Sequence, residues 1–586
     1  MKKLVYSVLV LLVFFGCEPE EIILPEAPEN TATPSYNHVS ISTDKAAYNP
    51  GDEVSFDIDN SLLPATIKVR YKYLGEVLLE EVVQGSTWTW ETPADDYRGY
   101  MVEVFDGDEG AETIYTSIAV DVSSEWTRFP RYGFLSDYSL LSTEQIDGVL
   151  DNLCRHHING LQYYDWHNKH HKPLPFSGSS PASSWKDIIN KTVHFSTVKN
   201  YIDAAHSRNM RSMFYNLIYG AWDDAESEGV AAEWYVYKDN THTNRDYHPL
   251  SSPFLSNIYM LDPSNTNWQN YILNENQLVY EYLDFDGFHM DQLGDRGSRY
   301  RYDGSSLNLS QTYGPFIDTA KANAPEKQNV MNAVNQYGQQ GIASAATDFL
   351  YTEVWSPNES YRDLANIIRI NDTYGNGSKN TVLAAYVNYD LASSEGYFNT
   401  ASVLMADAVI FAFGGSHLEL GEHMLGKEYF PNDNLAMKAD LTTTLVKYYD
   451  FMTAYQNLLR DGGTFNLVTL GSLDGKITPG KWPVSSGSVA VIAKKKEKIQ
   501  ILHLINFKDS QTDEWRDNSG VQAAPGLVKD AEIMFTSDGL VKKIWTASPD
   551  VIGGASRILN FEQIEDQVAF TLPELKYWTM VVIEYE

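Results

Sequence analysis

The stretch NWQNYILNENQLVYEYLDFDGFHMD, residues 267–291, decides the fold. Its first two thirds carry apolar residues at helical spacing, and its end, DGFHMD, is a short apolar run closing on a carboxylate, Asp291. A helix that feeds a short buried strand is half of a strand-helix repeat, the crossover that parallel strands require. A carboxylate at the mouth of such a strand points to chemistry.

The same unit recurs on both sides. Strand candidates are RYGFLSDY (131–138), INGLQYYDW (158–166), RSMFYNLIYGA (211–221), DGFHMD, QNVMNAV, TDFLYTEVW (347–355), NTVLAAYVNY (380–389) and DAVIFAFGG (407–415). Helical material separates them, as in STEQIDGVLDNLCRHH, where Ser142 is placed to cap a helix. Eight such units in one region, 125–462, predict a catalytic (β/α)8 barrel, whose active site lies at the carboxyl ends of its strands.

The flanks read differently. From 38 to 124, short alternating runs such as EVSFDID, TIKVRYKY and YMVEVFD predict an immunoglobulin-like β-sandwich. Residues 463–586 are again strand-like and predict a C-terminal β-sandwich, with AKKKEK (493–498) as a solvated hairpin turn. At the N-terminus, Lys2 and Lys3 precede LVYSVLVLLVFFG and Cys17, so residues 1–17 read as a signal peptide. Cys17 resembles the acylated cysteine of bacterial lipoproteins. Residues 18–37, rich in Pro, Glu, Ala and Thr, read as a tether, and the expected location is the bacterial cell surface or outer membrane, with the membrane as partner through a lipid anchor; the alternative is a secreted or periplasmic protein. The other cysteine, Cys154, reads as a buried core thiol.

A net charge of −34 argues against nucleic acid and anionic surfaces as partners. The chain carries 38 Tyr and 13 Trp, rings whose flat faces suit sugars. The predicted strand ends are furnished accordingly: Asp165, Trp166 and His167; Asn216 and Tyr219; His289, Asp291 and Gln292; Asn332; Glu353 and Trp355; His417, Glu419 and Glu422. Zinc on His167, His170 and His171 is disfavoured, because the segment reads as a loop and no HExxH helix accompanies it. There is no GxSxG elbow and no phosphate-binding loop, so no cofactor is expected.

Paired carboxylates remain, and they suit glycoside hydrolysis: one ionised to attack the anomeric carbon, the other protonated to release the leaving oxygen. Asp291 and Glu353 fall on the fourth and sixth strands. Aspartate's short stem suits the nucleophile and glutamate's reach the acid/base. In a retaining enzyme the two carboxyls stand roughly 5–5.5 Å apart.

Together DGFHMDQLGD, TEVW, YYDW and GGSHLELGEHMLGKEYFPN (414–432) resemble glycoside hydrolase family 66, the dextranases and cycloisomaltooligosaccharide glucanotransferases. The resemblance implies Asp291 as nucleophile, Glu353 as general acid/base, and endo-hydrolysis of α-1,6-glucan (dextran) to isomaltooligosaccharides. The cyclising members carry an additional carbohydrate-binding module within the barrel region, for which no unassigned stretch is long enough here, favouring the dextranase branch. Alternatives are a cyclising transglycosylase, an α-1,4-acting relative, and a non-catalytic surface glycan-binding protein.

Overall fold

The computed structural model describes residues 24–30, 33–108, 112–483 and 485–586. The signal segment and Cys17 lie outside the described residues. Three regions follow one another, each rich in strand.

The first is built from two sheets facing one core. One has the order Ser35–Tyr36, Thr113–Val122, Arg98–Asp106, Thr66–Tyr73, Glu76–Gln84; the other pairs Ile41–Thr43, Glu53–Ile58 and Thr87–Glu91. Glu53–Ile58 alternates strictly between exposed and buried positions, so Val54, Phe56 and Ile58 meet Val69, Tyr71, Val102 and Ile118 from the facing sheet.

The central region carries eight short parallel strands: β1 (Tyr132–Leu135), β2 (Gly160–Tyr163), β3 (Arg211–Leu217), β4 (Gly287–Asp291), β5 (Gln328–Met331), β6 (Leu350–Glu353), β7 (Thr381–Ala384) and β8 (Ser416–His417). They form two sheets, β1 to β5 in spatial order β5-β4-β3-β2-β1, and β6-β7-β8. A parallel bridge between Asn332 and Tyr351 joins β5 to β6, and the Phe134 N–H donates to Leu420 O (3.1 Å) between β1 and the residues just past β8. Helices intervene between the strands: α1 (Thr143–Arg155), α2 (Phe195–Ser207), α3 (Thr266–Tyr282), α4 (Tyr313–Asn323), α5 (Gln339–Ser344), α6 (Tyr361–Tyr374) and α7 (Thr400–Ala412), with α8 (Ala439–Ala454) after β8. Ser142 caps α1 in a reciprocal box with Gln145.

Strand alternation divides the core in two. Tyr132, Phe134, Met213, Val330, Tyr351 and Val382, from β1, β3, β5, β6 and β7, share one apolar cluster with Leu418 just past β8. Leu161, Tyr163, Phe214, Phe288, Met290, Met331 and Leu383 point the other way and pack under the helices.

One expected strand is a helix. DAVIFAFGG (407–415) begins inside α7, and the eighth strand is Ser416–His417. Every residue from Ala401 to Ala412 is buried, so the segment has no polar face to betray its helical period, and a continuous apolar run reads equally well as a strand.

The last region again has two sheets. Val489–Lys496, Ile499–Asn506, Trp578–Tyr585 and Val541–Ala547 are adjacent in one; Val528–Thr536 and Gln567–Leu575 pair in the other. Their inner faces share Val491, Leu502, Ile533, Phe570 and Val581. The hairpin at 493–498 forms, but Lys494 is buried and donates to Leu459 O rather than facing solvent. The proline-rich segment also differs from a free tether. Thr571 Oγ1 donates to Pro28 O (2.8 Å), and the Asn560 side chain donates to Glu29 O (2.8 Å), laying residues 28–30 against this region.

Buried charges tie the regions together. Asp450 on α8 accepts from the Ala119 N–H, both terminal nitrogens of Arg155, and His157 Nε2. The Arg155 guanidinium heads the attractions that hold its carboxyl far below the usual range, against the cost of burial. Cys154 is a free, buried thiol.

Candidate active site

The carboxyl ends of the parallel strands open into a cavity of about 470 Å³. Asp291 is the last residue of β4 and Glu353 the last of β6, and both line it. Period-two alternation aims them there: His289 and Asp291 share one parity on β4, Tyr351 and Glu353 on β6.

Between them sits Asn332, one residue past β5. Its Nδ2 donates to Asp291 Oδ1 (2.9 Å) and to Glu353 Oε2 (3.3 Å), while its Oδ1 accepts from the Glu353 N–H (3.2 Å). Two oxygens bound to one nitrogen at these distances cannot be more than 6.2 Å apart. Each carboxylate has a phenol of its own: Tyr215 OH donates to Asp291 Oδ2 (2.6 Å) and Tyr386 OH to Glu353 Oε1 (2.7 Å).

The two acids are unequal. Burial, then the charge of Asp291, raises Glu353 from 4.5 to about 7. Burial raises Asp291 too, but Tyr215, the Gln292 N–H and Asn332 favour its ionised form. The site therefore holds one carboxyl that keeps its proton near neutrality beside one that gives it up first.

Other side chains surround the pair. His289 is buried, bonds Tyr132 OH through Nδ1 (3.1 Å), and burial lowers its pKa to about 3, so it is neutral. Asp165 follows β2 at a left-handed backbone conformation (φ 44°) and is held well above the carboxylate range by burial, then by Asp187 and Asp291. Gln292 accepts from the Gly294 N–H (2.6 Å) and donates to Asn332 O (3.3 Å), supporting the strand ends. Trp355 lines the same cavity.

Six residues expected to contact substrate do not line it. Asn216 has the parity of Phe214, faces away from the cavity, and donates to His170 O (2.8 Å). Tyr219 is buried and accepts from the Leu293 N–H. Trp166 is packed among Trp185, Phe214 and Phe285. His167 is buried against His170, ring centroids 4.7 Å apart. His417 and Glu419 point behind β8: His417 Nδ1 meets Asp407 Oδ1 (2.8 Å), its Nε2 donates to Ala385 O (2.8 Å), and Tyr449 OH donates to Glu419 Oε1 (3.0 Å). Glu422 is likewise structural, accepting from the Ser136 and Asp137 N–H groups (2.7 and 3.0 Å).

Sequence reasoning missed several lining residues. Tyr215 was legible from parity, since it lies one residue from Asn216 on the inward face of β3. Tyr164 stacks on Phe430 (4.3 Å), and Glu428, Tyr429 and Phe430 belong to the GKEYFPN run, whose return to the cavity no local pattern announces. His170 also lines the site, its Nδ1 taken by Trp222 Nε1 (3.1 Å).

Among the described residues, two groups have metal-like spacing. In His171, Asp224 and Glu228, the Lys169 ammonium already bonds Asp224 Oδ2 (2.6 Å) and Glu228 Oε1 (3.0 Å). Asp407, His417 and Glu419 are fully buried away from the cavity. The three histidines 167, 170 and 171 do not converge on one point: His171 Nε2 is engaged by Glu228 and its Nδ1 by the Trp222 N–H.

Paired carboxyls at strand ends are the arrangement that glycoside hydrolysis uses. The sequence profile of Glycosyl hydrolase family 66 matches residues 43–582, and the chain belongs to that family. A cycloisomaltooligosaccharide glucanotransferase of Niallia circulans is 29% identical over 96% of this chain and 73% of its own length. A dextranase of Streptococcus salivarius is 23% identical over 83% of this chain and 67% of its own. The crystal structure of a Paenibacillus sp. cycloisomaltooligosaccharide glucanotransferase complexed with cycloisomaltoheptaose superposes with a TM-score of 0.85 at 25% identity, covering 94% of this chain and all of that one.

Proposed function

We propose that the protein is a retaining, endo-acting hydrolase of α-1,6-glucosidic bonds in dextran. The single observation carrying this is the shared Asn332 amide, which holds one oxygen of Asp291 and one of Glu353 within 6.2 Å of each other, an approach that favours the close spacing of retaining enzymes, roughly 5–5.5 Å, over the roughly 6.5–9.5 Å of inverting ones. Glu353 gives its proton to the glycosidic oxygen as that bond breaks, while an Asp291 oxygen bonds the anomeric carbon. Glu353, now ionised, takes a proton from water, whose oxygen displaces Asp291 and restores the original configuration. Asp165, His289, Asn332 and Trp355 are the proposed substrate contacts.

The two parallel sheets read as one (β/α)8 barrel (125–462), joined at the Asn332 and Phe134 seams, with β-sandwiches at 38–124 and 463–586 on either side. The names of the relatives support α-1,6-glucan as substrate. The hydrolytic branch is favoured by length: the glucanotransferase alignment spans 731 positions against 586 residues here, so at least 145 positions of that relative have no counterpart. Cyclisation is the second reading, favoured by the higher identity to glucanotransferases than to the dextranase. In it a glucan hydroxyl replaces water in the second step. An anchor at Cys17 would hold the protein at the cell surface, and radiolabelled palmitate incorporation tests it.

Chromatography of dextran digests over time decides the reaction. Linear isomaltooligosaccharides with rising reducing ends support hydrolysis, rings with few new reducing ends support transfer, and unchanged polymer refutes both.

A further inference from the structure

The residues after Phe507 leave the C-terminal sheets and cross to the loops that follow β6 and β7. The contact is dense. Trp515 donates through its backbone N–H to Glu359 O (3.0 Å) and through its indole to Asn358 O (2.9 Å); Asn388 donates to Arg516 O (2.7 Å) and Asp517 O (2.8 Å). Asp517 also accepts from Ser402 at the start of α7.

At the centre of this loop is Arg516, which is buried. Its Nη2 donates to Val354 O (2.7 Å), the carbonyl adjoining Glu353. Its guanidinium lies over Trp355 (5.1 Å), Tyr389 (5.3 Å) and Trp515 (4.7 Å). Trp355 and Tyr389 in turn pack on each other and on Tyr386, which holds Glu353 Oε1. A planar guanidinium both donates in a fixed plane and stacks on ring faces, which an ammonium cannot do together.

We propose that Arg516 is a positioning residue for the reaction: a side chain from the C-terminal region that fixes the acid/base Glu353 through Val354 and fixes the sugar-facing Trp355 from behind. This rests on the reading of Glu353 as acid/base. Burial opposes the charge of Arg516, and Tyr386, Tyr389, Glu359 and Glu353 are the acidic groups that face it. The loop makes the C-terminal region part of the catalytic apparatus rather than a spacer.

The test compares wild type, R516K and R516A on dextran and on 4-nitrophenyl α-isomaltotrioside, whose leaving group needs little protonation. R516A is expected to lose about tenfold or more in kcat on dextran, as misplacement of a catalytic group does, with a smaller loss on the aryl glycoside. Its alkaline limb should move upward, because a nearby positive charge that favours ionised Glu353 is gone. R516K, which keeps the charge, should keep the wild-type limb and lose an intermediate amount on dextran. Limb position and the ratio of the two rates do not depend on how much protein folds. If dextran is cleaved by wild type and R516A matches it in both, the inference falls alone; if wild type leaves dextran uncut, the inference and the functional reading fall together.

Discussion

Asp291 and Glu353 share a single hydrogen-bond donor, the Asn332 amide nitrogen, at 2.9 and 3.3 Å. A common donor sets their spacing and couples their protons. Replacing Asn332 by Asp would put a third carboxyl between them, raising Glu353 further and removing a donor from Asp291. N332D is expected to lower kcat on dextran by about 10²-fold or more, the scale of losing a positioned electrostatic partner. N332A should lose less. Steady-state kinetics of the two variants checks the order; an N332D enzyme with wild-type kcat would remove the coupling.

The unequal acids predict separable variants. D291N should show no turnover on any glycoside, since its remaining oxygen belongs to a neutral amide and cannot capture the anomeric carbon as an ester. E353Q should lose about 10²–10⁴-fold on dextran, the range for general acid catalysis, and much less on an aryl glycoside with a good leaving group. Azide should restore turnover to E353A by attacking the glycosyl-enzyme without a general base. Mass spectrometry of E353Q mixed with an aryl glycoside should find the added glucosyl unit on the peptide containing Asp291.

The pH dependence follows from Glu353. With its pKa at about 7, kcat/KM on dextran should fall above that pH as the acid loses its proton. The stability linkage has the same origin. A carboxyl raised in the folded state binds more protons folded than unfolded, so stability falls as pH rises from about 4.5 through about 7, and the cost is complete above. Removing the Tyr386 phenol takes away a donor that favours the ionised form. Y386F should therefore move the alkaline limb of kcat/KM upward, and a limb at its wild-type position would show that the phenol does not tune the acid.

The strand-helix grain of the central region was legible because amphipathic helices such as α1 keep a polar face, and because carboxylates close two of the strands. What escaped was parity and long-range return. Asn216 and Tyr215 are neighbours, and only the alternation that places Met213 in the inner cluster says which of the two meets the cavity. His417 and Glu419 stand in the most family-like stretch, which made them attractive as contacts. They occupy the outer parity of β8, where burial without a cavity gives them each other and Asp407. Arg516 lies more than 150 residues from the acid whose neighbouring carbonyl it binds, a separation no periodicity can bridge.

That buried group behind β8 yields the last expectation. Burial opposes a charged imidazole, yet Glu419 and Asp407 hold His417 well above its ordinary range, so it is an imidazolium between two acids. Asp407 is raised to about 8, by burial first and by Glu419 next. Truncating one member strands the remaining charges in a site closed to water. E419A should cost about 3–5 kcal/mol of stability, the range for breaking a buried ion pair, read as a lower denaturant midpoint. E419Q, which keeps the volume and can still accept from Tyr449, should cost less. Because Glu419 does not line the cavity, the folded fraction of E419Q should keep the wild-type KM for dextran. A raised KM with an unchanged midpoint would return Glu419 to the substrate.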